Sequence, residues 1–441
     1  MKTAYLNARL LDPASGLDTA GGLLVEDGRI AKLGAKVFKG GAPKGVEAID
    51  CEGLCLAPGL IDMRVNLCEP GAEHKETIAT AGAAAAAGGI TTMVALPNTT
   101  PVIDDVSIVE FIARRARGHG RVKVLCYGAI TQGTEGSQLT EMGLLAEAGA
   151  VAFTDGTEVV ADAMVMRRAL SYASGFGLLI VQHPEEPSLA ACGVMNEGEI
   201  ASRLGLMGIP AQAETMVVER DIRLVEITGG RYHAAHLSTA GAIDAIRRAK
   251  KQGLPVTCDT APHYFALNES AVGDYRTFAK VSPPLRSEAD REAVVEGLVD
   301  GTVDIVASDH APHDQDSKRL PFNHAAAGVI GLETLLPLTL EPYHNGKLTL
   351  LEALAKLTSA PATLLGLESG RLEAGAPADL VLFDPDLPWR IEEKSFLSKS
   401  KNSPFDGRPV QGRAVRTAVD GVPIHDGVPV RDGVPADRPE G

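Results

Sequence analysis

Eight short apolar runs, separated by longer stretches that include amphipathic helical patterns, constrain this chain more than any other feature of its sequence. They lie at 60–66, 90–97, 122–129, 149–154, 178–183, 232–237, 255–260 and 304–309. A near-continuous apolar run is what a strand needs when both of its faces are covered, and such strands belong to parallel sheets flanked by helices. Helical periodicity fills 104–118, 161–175, 212–228 and 239–252. Eight units of this kind predict an α/β fold, a closed (β/α)8 TIM barrel, spanning 58–369. The flanks 1–57 and 370–441 are different, being rich in Gly, Pro and Asp with brief alternating strands. Neither is large enough for a core of its own, so the two are expected to pair into one β-sandwich beside the barrel.

Charge narrows the partners. The 441 residues carry 57 acidic and 42 basic side chains, a formal net charge of -15. Such a surface repels phosphate backbones and anionic lipid, so neither nucleic acid nor membrane is expected as a partner. The longest stretch free of formal charge, 77–103, is built from Ala, Gly and Thr and contains Pro97 and Asn98. It lacks the Leu, Ile and Phe content that membrane insertion requires. Six cysteines are scattered without a CxxC pair, and no secretory apolar region follows Met1. Reduced thiols and a cytoplasmic location are expected.

The strand ends carry the chemistry. Asn66, Asn98, Asp155, His183, His236 and Asp309 each fall at or just past the C-terminal end of an expected strand. That face is where barrel enzymes place their active sites. His263 reads as a packed core or rim histidine, and Cys68 has no adjacent base that would make it a nucleophile.

Several segments together resemble the amidohydrolase superfamily, and most closely the dihydroorotase family of the bacterial type that accompanies aspartate carbamoyltransferase. They are APGLIDMRVNLCEPG (57–71), VALPNTTPV (94–102), HLSTAGAIDAIRRAK (236–250), KVSPPLR (280–286), SDHAPHDQDSK (308–318) and GRLEAGAPADLVLFDPD (370–386). The resemblance implies a barrel with a flanking sandwich, a place in pyrimidine biosynthesis, and the reversible closure of carbamoyl aspartate to dihydroorotate. It implies a zinc site on His and carboxylate ligands, with an aspartate on the last strand moving the proton. Carried over by position, His183, His236, Asp309 and Asp155 are the metal-ligand candidates, and Asp309 the catalytic acid–base. Asn98, His313, Ser282 and a vestigial Cys68 fall at substrate-binding positions.

Five of those positions depart from the family pattern. The first-strand His-x-His is Arg64-Val65-Asn66, the arginine that grips the substrate carboxylate is Cys68, the second aspartate of Asp-Asp-Gly is Gly156, and the asparagine before Pro-Pro-Leu-Arg is Ser282. A guanidinium is permanently protonated and offers no lone pair to a metal. At ~4 Å from a divalent ion it would be repelled by roughly 8 kcal/mol at an effective dielectric of 20. Arg64 is therefore expected to take the metal's place and to neutralise Asp309. Related hydantoinases and allantoinases bridge two metals with a carbamylated lysine on the fourth strand, and 150–160 contains no lysine.

Three readings follow. The first is a non-catalytic dihydroorotase homologue, without cofactor, assembled with the aspartate carbamoyltransferase catalytic chain, with a homo-oligomer also open. The second is a working enzyme with one zinc on His183, His236 and Asp309. The third is a ligand-binding regulatory protein.

Overall fold

The computed structural model describes residues 2–38, 41, 43–119, 121–427, 430–431 and 434–435. The end of the expected C-terminal flank, at 428–429, 432–433 and 436–441, lies outside the described residues.

All eight expected barrel strands form, in order around one parallel sheet. They are Leu60–Val65, Ile90–Ala95, Lys123–Gly128, Ala150–Phe153, Leu179–Gln182, Arg231–Ala234, Val256–Thr260 and Ile305–Val306. The sheet closes through a parallel bridge between Val65 and His310, with Asn66 N donating to His310 O at 2.8 Å and His310 N to Arg64 O at 3.2 Å. This seam sets the C-terminal ends of the first and last strands side by side. The helices start where short polar side chains can cap them. Asp162 caps Ala163–Phe176, and Thr239 caps Ala240–Lys251.

Two strands are shorter than their apolar runs suggest. The sixth stops at Ala234 and the eighth at Val306, and the residues beyond them leave strand geometry. His236 and Asp309 have left-handed backbones, with φ of 41° and 51°. Such a conformation is costly for non-glycine residues and persists only where the surroundings hold it. Buried carboxylates do so here. Asp259 Oδ1 accepts from His236 N at 2.6 Å, and Asp62 Oδ1 accepts from Ser308 N at 3.0 Å and from Arg64 N at 3.2 Å. Glu214, from helix Gln212–Thr228, accepts from the backbone N–H and hydroxyl of both Ser238 and Thr239.

The flanking unit is one sheet of eight strands drawn from both ends of the chain. Lys2–Asp12 is central, pairing with Leu17–Glu26 on one side and with Glu47–Asp50 and then Cys55–Pro58 on the other. Cys55–Pro58 pairs antiparallel with Leu380–Arg390, which continues to Pro409–Val419 and Val422–Asp426. Tyr5, Leu10, Leu23, Leu56 and Leu380 are buried together on this sheet. Among the described residues no helix is long and apolar enough to cross a membrane.

Glu214→Ala strips the partner from four donors beside His236. It should lower the unfolding free energy by about 3–5 kcal/mol, read from urea denaturation.

Candidate functional site

Across the barrel seam, Arg64 turns inward. Its Nε donates to Asp309 Oδ1 at 2.8 Å and its Nη2 to Gly156 O at 3.1 Å, with the Arg64 side chain 3% exposed. The ion pair expected between these residues is present. The other carboxylate oxygen, Asp309 Oδ2, lies 3.2 Å from His236 Nδ1 and 3.7 Å from His263 Nε2. His236 Nε2 in turn shares a hydrogen bond of 2.7 Å with His183 Nδ1. His183 Nε2 is 4.0 Å from Glu185 Oε2. A hydrogen-bonded string therefore runs from His183 through His236 and Asp309 to Arg64, with Glu185 just beyond its His183 end.

Burial sets its electrostatics. Desolvation alone would raise the Asp309 carboxyl, but His236 and Arg64 outweigh it and hold the group well below the usual carboxylate range. His183 is pushed well below the ordinary histidine value by burial, with repulsion from His236 and Arg64 adding to it. Burial lowers His263 from 6.5 to about 4, against the attraction of Asp309. Burial also raises Glu185, against the pull of Arg286. Asp309 is thus held ionised beside the Arg64 guanidinium, while burial favours the neutral forms of His183 and His263.

Apart from Ser282, whose hydroxyl meets Glu185, and the Gly156 carbonyl, which meets Arg64, the remaining sequence candidates do not join this string. The Asp155 carboxylate is turned away and accepts from Ile130 N, Thr131 N and Thr131 Oγ1, and burial raises it to about 6. Only its carbonyl faces a candidate, accepting from Asn98 Nδ2 at 3.0 Å. Asn98 Oδ1 accepts from Thr157 N, so both ends of that amide are committed to the turn after the fourth strand. Gly156, at φ 71°, passes so close that a Cβ there would meet Asn98 Oδ1 at 1.6 Å. Asn66 Oδ1 accepts from Cys68 N. The Cys68 thiol is buried 3.5 Å from Asn66 Oδ1 and pushed up to about 12, so it is no nucleophile. His313 Nε2 bonds Ala327 O at 2.8 Å, and the Ser282 hydroxyl lies 3.5 Å from Glu185 Oε2.

These residues do not fit a divalent metal. Arg64 stands at one ligand position as a permanent cation, Asp155 is committed to backbone amides, and the two histidines are bonded to each other. Among the described residues no group of three or more His, Cys, Asp or Glu is arranged to hold a metal ion. Sequence reasoning missed Glu185, although it stands two residues beyond His183, and it treated His263 as packing. A carboxylate just past a strand-end histidine was the available signal for the first.

Comparisons with known proteins agree with this architecture. The dihydro-orotase-like family model matches residues 53–242, and the amidohydrolase family model matches 338–425. A dihydroorotase of Wolbachia sp. subsp. Brugia malayi is 49% identical over 426 residues, covering 96% of each chain. A dihydroorotase of Syntrophotalea carbinolica is 48% identical over 421 residues, covering 96% of this chain and 98% of that one. Among solved structures, the L-hydantoinase (dihydropyrimidinase) from Arthrobacter aurescens superposes with a TM-score of 0.86 at 26% identity, covering 96% of each chain.

A histidine whose folded pKa is depressed contributes stability that is complete above the unfolded value and is lost as pH falls toward the folded one. For His263 that window runs from 6.5 down to about 4, and is worth roughly 3 kcal/mol. Melting temperature should fall across it, and His263→Gln should make the fall shallower.

Proposed function

Because this chain belongs to the dihydroorotase family of the amidohydrolase superfamily, we propose that it is a member that keeps the barrel without the ring-closing activity. Its role is then that of a non-catalytic subunit in pyrimidine biosynthesis, assembled with the catalytic chain of aspartate carbamoyltransferase. The observation that carries the reading is the buried Arg64–Asp309 pair at 2.8 Å. Metal-dependent amide hydrolysis draws on the ion to activate water and polarise the carbonyl. Here a side-chain cation meets the last-strand aspartate instead, and with His236 it holds that carboxyl well below the usual carboxylate range. Substrate capture is weakened as well. At the position of the carboxylate-gripping arginine stands the buried thiol of Cys68, which forfeits charge-assisted bonds worth roughly 1.5–3 kcal/mol each. The partnership itself rests on the family resemblance.

A second reading, an active dihydroorotase with one zinc on His183, His236 and Asp309, is favoured by the dihydroorotases that match at 48–49% identity along nearly the whole chain. One assay separates the two. The purified chain, incubated with excess zinc, is tested for dihydroorotase turnover in both directions beside the double variant His236→Ala/Asp309→Ala. Equal background in both proteins is expected. Turnover that vanishes in the variant would establish the enzyme and overturn the non-catalytic reading.

A further inference from the structure

At the C-terminal mouth of the barrel, the loops after the seventh and eighth strands meet in an open cleft of about 610 Å³ between residues 275–278 and 318–322. Its charge is the reverse of the chain's. The side chains lining it include Arg276, Lys318 and Arg319 and no acidic residue, in a protein of net charge -15. The nearest acids along the chain, Asp274 and Asp316, flank the cleft without lining it. Arg276 and Arg319 are exposed, and among the described residues neither guanidinium has a hydrogen-bond or ion-pair partner. Lys318 differs, being buried beneath the cleft with its ammonium on Ala326 O and Gly328 O.

The apolar part of the cleft is exposed and tethered by hydrogen bonds. Tyr275 is 48% and Leu320 46% exposed. Tyr275 has a left-handed backbone, φ 61°, and its hydroxyl donates to Leu204 O at 2.7 Å, which fixes the ring as a wall. Thr277 Oγ1 donates to Lys318 O at 2.6 Å and ties the two loops together. Lys280 reaches under the floor, its ammonium 5.6 Å from the Phe322 ring centroid and bonded to Phe322 O. Rigid Tyr and unpaired Arg side chains around an apolar centre are the residue types that concentrate binding energy at protein interfaces.

From this we propose that the cleft is the docking surface for an acidic segment of a partner polypeptide, whose carboxylates meet Arg276 and Arg319 and whose apolar side chain seats between Tyr275 and Leu320. Charge complementarity selects that occupant. The proposal rests on the scaffold reading above and gives it a surface.

The test measures binding of the full-length chain to aspartate carbamoyltransferase catalytic chain from the same organism, at low and at physiological salt. It uses wild type, Arg276→Glu/Arg319→Glu, and a control, Arg167→Glu/Arg168→Glu, that makes the same charge change on exposed arginines of helix Ala163–Phe176. Wild-type binding should weaken with salt, and the cleft variant should bind at least about tenfold more weakly than the control at an unchanged melting temperature. Equal binding by the cleft variant and the control overturns the docking surface while leaving the scaffold role standing. No binding by wild type at low salt overturns both. Self-association of wild type that the cleft variant abolishes makes a second copy the occupant and overturns the proposal.

Discussion

The organisation of the barrel mouth depends on one ion pair made across the seam where the barrel closes. Arg64 lies one residue before the end of the first strand and Asp309 follows the last, and the Val65–His310 bridge brings them together. Burying either charge alone is costly, and removing one partner from such a pair typically costs about 3–5 kcal/mol. The neighbours comply with that pair. His183 and His263 are held neutral, Asp309 is held ionised, and the backbones of His236 and Arg64 are pinned by Asp259 and Asp62.

Much of this was legible in the sequence, because parallel strands buried on both faces write themselves as apolar runs and a (β/α)8 topology puts polar strand ends on one rim. The pairing of Arg64 with Asp309 was equally legible, since a buried guanidinium needs a carboxylate beside it. What the sequence concealed are decisions made by side-chain rotamers. Asp155 stands at the end of its strand as expected, yet its carboxylate answers amides at Ile130 and Thr131, a segment some two dozen residues away. The early ends of the sixth and eighth strands are concealed for a related reason. Apolar character continues past them, while buried carboxylates on neighbouring strands capture the backbone.

Fold and site pattern are carried by different residues in this molecule. Near-complete coverage at 48–49% identity shows that the architecture is shared with named dihydroorotases, and an L-hydantoinase of 26% identity has the same fold. The five positions that differ from the family's site pattern lie on the rim or in its turns. None of them supplies the packed alanines, leucines and valines that hold strands to helices. Chemistry can therefore be altered at these positions while the core is untouched, which is why the fold alone does not assign the function.

The persistence of so many ionisable side chains in a mouth that fits no metal has a physical reason. In a connected buried polar network each deletion orphans a neighbour, so single substitutions there are damaging. Removing Asp309 would leave Arg64 with only the Gly156 carbonyl, and removing Arg64 would leave the Asp309 carboxylate with only His236 at 3.2 Å and His263 at 3.7 Å. Either step costs stability before a second change can restore it. Histidines and an aspartate at the right strand ends are thus weak evidence of catalysis unless their lone pairs are free.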